Sequence, residues 1–127
     1  MPEPLFPDAV AVVCTLLDGS SLGVTIVRKI PSPRPAEFVL VRRTGGVRLN
    51  LVTDGAQIVL ESWAGSSTRC HEIAQAARQA LRAGRGAVVA GTVVGPVDEL
   101  SGPGDLPDPT SDQPRVRQTF TVGVRGS

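Results

Sequence analysis

Between Gln57 and Arg82 the spacing of apolar residues changes from two to about three and a half, and this switch constrains the fold more than any other feature. The run Gln57-Ile58-Val59-Leu60-Glu61-Ser62-Trp63 reads as a strand, and residues 64–67 turn the chain. Cys70, Ile73, Ala74, Ala77, Ala80 and Leu81 then fall at helical spacing, with Arg69, Glu72, Gln75, Arg78, Gln79 and Arg82 on the other side. Ser66, Ser67 or Thr68 is placed to cap the first turn, and Gly84 or Gly86 to stop the last. So many core-facing alanines predict close packing on a sheet. Just upstream, Phe38-Val39-Leu40-Val41 is the strand expected to pair with the first one. It is expected to stop at residues 42–46, where Gly45 and Gly46 allow the positive φ of a tight turn or bulge, and a polar loop over 50–55 follows.

The remaining segments fit around this unit. Pro7 and Asp8 open a helix in which Ala9, Val10, Val12, Val13, Leu16 and Leu17 share one face, ending at Asp18-Gly19. Residues 23–28 form a short β-rich run, and Pro31, Pro33 and Pro35 make a stiff, extended connector. Residues 87–94 predict a strand interrupted at Gly91 by a bulge or a close backbone approach, and residues 101–114 a long loop. Gln118, Phe120, Val122 and Val124 alternate with Thr119, Thr121 and Gly123 in the cleanest strand pattern of the chain. The order α-β-β-β-α-β-β predicts an α+β fold, a mostly antiparallel sheet with two helices on one face. At 127 residues it is expected to be a single domain spanning 1–127.

Composition excludes more than it selects. A net charge of +1 gives no global attraction to nucleic acid or membrane. No apolar stretch approaches the ~20 residues a bilayer needs, and no basic leader precedes an apolar run, so a soluble, unexported chain without a membrane partner is expected. Cys14 and Cys70 lack CxxC spacing and sit on apolar helix faces, which predicts buried free thiols. His71, the single histidine, adjoins Cys70, but helical neighbours point about 100° apart. That makes a poor dyad, and no second histidine or cysteine cluster supplies metal spacing. No catalytic, metal-binding or cofactor-binding residues are therefore expected.

The charges are nonetheless unevenly placed. Arg28, Lys29, Arg34, Arg42, Arg43 and Arg48 form a basic stretch in which Glu37 is the one acid, while Asp98, Glu99, Asp105, Asp108 and Asp112 lie in a segment without lysine or arginine. Phosphate contact is one use of the basic stretch. Specific single-strand recognition is disfavoured, because Phe6, Phe38, Phe120 and Trp63 all fit core positions and leave no stacking platform. Ordinary solvated surface is the reading that charge pattern alone favours for both stretches, and the other use is self-association. The basic turn of one copy, with Arg42, Arg43 and Arg48, would meet the acidic loop of the next, with Asp105, Leu106 and Asp108, in a head-to-tail contact able to close into a ring.

The string Pro33-Arg34-Pro35-Ala36-Glu37-Phe38-Val39-Leu40-Val41-Arg42-Arg43-Thr44-Gly45-Gly46, with Asn50-Leu51-Val52-Thr53-Asp54 and Glu61-Ser62-Trp63-Ala64, resembles the tail terminator, or tail-completion, proteins of long-tailed bacteriophages. Gly102-Pro103-Gly104-Asp105-Leu106-Pro107-Asp108-Pro109, Pro114-Arg115 and Phe120-Thr121-Val122 are similar too, so the likeness spans about residues 6–125. It implies an α+β virion protein, assembled in the host cytoplasm and placed at the tail-head junction. The family forms a homohexameric ring on the head-proximal end of the tail tube, stops tube polymerisation and presents a head-joining surface. The implied partners are further copies of itself, the tail-tube protein, the head-tail connector protein and DNA passing through the lumen, with no cofactor and no catalysis. Head-tail connector proteins are the nearest alternative, and a small non-specific nucleic-acid-binding domain comes after them.

Overall fold

A computed structural model describes residues 5–20 and 22–126. The elements run α1 (Ala9–Asp18), β1 (Thr25–Val27), β2 (Phe38–Arg48), β3 (Thr53–Trp63), α2 (Ser67–Ala83), β4 (Val88–Val89), β5 (Thr92–Asp105) and β6 (Arg115–Arg125). The strands form one sheet in the order β1-β2-β3-β6-β5-β4. Among the described residues only the β1–β2 pair is parallel. The α+β reading holds, with a two-residue strand, β4, added to the expected order.

The helices begin and end where local chemistry dictates. Asp8 caps α1, its carboxylate accepting from the backbone N–H groups of Val10 (3.0 Å) and Ala11 (3.3 Å). Ser66 caps α2 through the Arg69 N–H, and Gly84 ends it. Both helices pack on one face of the sheet. There Val10, Val13 and Leu17 of α1 and Cys70, Ile73, Ala77 and Leu81 of α2 join Val39, Val41, Ile58, Leu60, Val116, Phe120, Val122 and Val124 in the main core. Within it, the Gln118 amide nitrogen donates to the Ala74 carbonyl (2.9 Å), tying β6 to α2. Cys70 is fully buried but Cys14 only half so, and both thiols are free.

The opposite face carries its own small cluster. Phe38, Leu40 and Trp63 are buried there against Val27 and Ile30. Phe38 and Trp63 stack with centroids 5.3 Å apart, and the guanidinium groups of Arg34 and Arg115 lie 5.0 and 5.2 Å from the Trp63 ring. The proline-rich connector delivers Arg34 to this place. Phe6, expected in the core, is instead half-buried with Arg48 over its ring at 5.3 Å.

Three boundaries differ from the sequence expectation. The strand starting at Phe38 does not stop at residues 42–46. It continues to Arg48, absorbing Thr44 as a bulge between Arg43 and Gly45, with Gly45 and Gly46 at φ 124° and 111°. The polar loop shrinks accordingly, since Thr53 already belongs to β3. Gly91 marks no bulge. Ala90 and Gly91, at φ 50° and 78°, are the two-residue turn of the β4–β5 hairpin. Finally, residues 101–105 belong to β5, whose pairing with β6 survives three register shifts, so the connection between these strands covers only 106–114.

Candidate assembly surfaces

Arg42 and Arg43 are consecutive residues of a strand and so project from opposite faces of the sheet. Arg43 shares its row with Ile58 on the helix-covered face. Its guanidinium pairs with Asp54 of β3 at 3.0 Å and also donates to the Gly45 carbonyl at 3.0 Å. Arg42 shares its row with Val59 and Thr119 on the helix-free face. It is exposed and makes no ion pair among the described residues.

Most of the other expected interface charges are engaged within the chain. The Asp105 carboxylate accepts from the Ser67 hydroxyl (2.9 Å) and lies 3.3 Å from His71 Nε2, so it ties the end of β5 to the start of α2. Asp108 accepts from the backbone N–H (3.1 Å) and hydroxyl (2.5 Å) of Ser111; that hydroxyl bond holds its pKa below the usual value. Leu106 remains 40% exposed, while its carbonyl accepts from Arg115 Nε at 2.7 Å. Arg34 donates to the Gln113 side chain (3.0 Å), so the basic connector and the 106–114 loop are held together. Glu99 pairs with Arg78 of α2, which lowers the Glu99 pKa. Glu37 is lowered in the same way by its two-pronged bond to Arg69, at 2.8 and 3.1 Å.

Arg42, Arg43 and Arg48 therefore lie on β2, and Asp105 with Asp98 and Glu99 on β5, with β3 and β6 between them. Among the described residues neither Arg42 nor Arg43 pairs with an acid of β5. They belong to opposite sides of the sheet.

Sequence reasoning missed an apolar surface at the turn of the β2–β3 hairpin. Val47, Leu49, Leu51 and Val52 are 74%, 45%, 69% and 42% exposed, and the Asn50 side chain holds the turn by accepting from the N–H groups of Val52 and Thr53. The signal was present: four aliphatic residues within six positions that no periodicity assigns to a core. No helix among the described residues is long and apolar enough to cross a membrane. No group of three or more His, Cys, Asp or Glu among them could hold a metal ion.

Comparison with known proteins supplies the identity that geometry does not. A chain in the solved virion of a native gene transfer agent particle is similar in fold, with a TM-score of 0.67 at 18% identity, over 91% of this chain and 93% of that one. None of the curated proteins compared matches. A family model described as phage tail termination protein matches residues 5–127. A match over nearly the whole chain makes this a structural virion protein rather than an enzyme, and the chain belongs to the phage tail termination protein family.

Proposed function

We propose that the protein closes into a homohexameric ring on the head-proximal end of a phage tail tube, ends tube polymerisation and offers the surface to which the head is joined. The observation carrying this reading is the family match over residues 5–127. The placement of the two charge groups supports it. Basic residues on β2 and acidic residues on β5 occupy opposite sides of one sheet, and a heterologous contact between them repeats around an axis until it closes. In this reading Arg42, Leu106 and Asp98 contact the neighbouring subunit or the tail-tube protein. Arg43, Arg48, Asp105 and Asp108 mainly shape the surfaces on which the free groups stand. Because Arg42 and Arg43 point to opposite faces, a lumen carrying DNA meets at most one of them.

The test is tube growth. Purified protein added to polymerising tail-tube protein should shorten the tubes, and electron microscopy should show added density at one end only. Tubes of unchanged length with both ends bare would contradict the reading.

A further inference from the structure

The two edges of the sheet are complementary in outline. Strand β1 pairs only with Phe38, Val39 and Leu40, so the outer edge of β2 over 41–47 forms no backbone pairing among the described residues. At the other edge, β4 pairs with Thr92 and Val93, and Gly86 and Ala87 extend the bonding to Val94. The outer edge of β5 over 95–105 is unpaired in the same way. The two short outer strands occupy diagonal corners, because Phe38 shares a row with Trp63 and Arg115 whereas Val94 shares one with Val124 and Asp54. Each edge is thus a step, with its short strand at the end where the other edge is open.

We infer that neighbouring subunits join edge to edge, the β4 corner of one copy filling the notch beside β2 of the next while β1 of the latter fills the notch beside β5. The inference rests on the ring reading and names the surfaces that make it. Strand direction permits it: the incoming β4 runs parallel to β2, and β1 runs antiparallel to the incoming β5.

The side chains agree with this joint. Val47 shares a row with Gly55, and Val88 one with Val93, both on the helix-free face near the same end of the sheet. They are 74% and 69% exposed, and the joint brings them together. Arg42 and Asp98 also share the helix-free face, share rows with Val59 and Thr121, and have no ion-pair partner among the described residues. An edge-to-edge joint sets these opposite charges on one continuous surface. The edges are also guarded against indiscriminate pairing. Pro96, Pro103 and the register shifts interrupt β5, and the bulge and arginines interrupt β2, so a short, specific lap is favoured over an open-ended ladder.

The test is directional cross-linking in a Cys14→Ser background, Cys70 being buried. One protein carries Val47→Cys and a second Val88→Cys. A short bismaleimide should give covalent dimers in the mixture and in neither protein alone, and a ladder of multimers in the double variant. If light scattering shows a ring yet the mixture stays uncross-linked, the edge joint is wrong and the ring reading stands. If the proteins stay monomeric and uncross-linked at every concentration, the joint fails together with autonomous ring closure, and tube shortening alone then decides the terminator reading.

Discussion

At the scale of single residues the hairpin of β2 and β3 is decided by glycine. A Cβ built on Gly46 would lie 2.0 Å from the Gly55 carbonyl oxygen and 2.7 Å from the Gln57 nitrogen, at a φ that L side chains rarely adopt. Gly46→Ala should therefore cost about 3 kcal/mol from strain and overpacking together, read as a lower urea midpoint. An unchanged midpoint would show that the backbone relaxes freely there. The adjacent arginines separate folding from assembly. Arg43→Glu sets a second carboxylate beside Asp54, whose side chain is only 13% exposed, and should lose about 1–3 kcal/mol of stability. Arg42→Glu should leave the urea midpoint within about 0.5 kcal/mol and weaken self-association. The opposite pattern would mean that the two side chains have been assigned to the wrong faces.

At the scale of elements, salt bridges fasten the helices to the sheet and set the acid response. Arg28 beside Asp8, Arg69 beside Glu37 and Arg78 beside Glu99 each hold the carboxyl below its ordinary value of 3.8 or 4.5. The unfolded chain takes up these protons more readily than the folded one. The stabilisation is thus complete above about pH 4.5 and is lost as pH falls through the lower folded values. The urea midpoint should stay level between about pH 7 and 5, decline below about 4.5, and decline less in high salt. A fall already between pH 7 and 5 would contradict this assignment. The elements themselves were largely legible. Helix α2 and strand β6 follow single, uninterrupted periods, and the α2 caps, Ser66 and Gly84, are among the predicted candidates. What was not legible depended on a partner strand. Gly45-Gly46 reads equally as a stop or a bulge, and only the rows with Ala56 and Gln57 on β3 show that the strand continues. Residues 101–105 have loop composition, yet β6 recruits them as an irregular edge. The charge groups proposed for assembly could be read from sequence, but their engagement within the chain could not: the pairing of Arg43 with Asp54 and of Asp105 with Ser67 and His71 spans elements that sequence alone does not align.

At the scale of the whole molecule, the helices cover one face of the sheet, while the helix-free face and both edges display what is left unpaired. Val47 and Arg42 lie on β2 and Val88 and Asp98 at the far side of the sheet, and the proposed joint would bring each pair onto one surface. In the proposed ring, such a subunit would satisfy itself through one face and a copy of itself through its edges. The measurement that bears most directly on this account is light scattering coupled to size exclusion, over a wide range of protein concentration. A discrete closed species of about six times the monomer mass, without larger open-ended polymers, is the predicted result. A strict monomer throughout, or a continuous series of growing polymers, would contradict a chain built to close on itself.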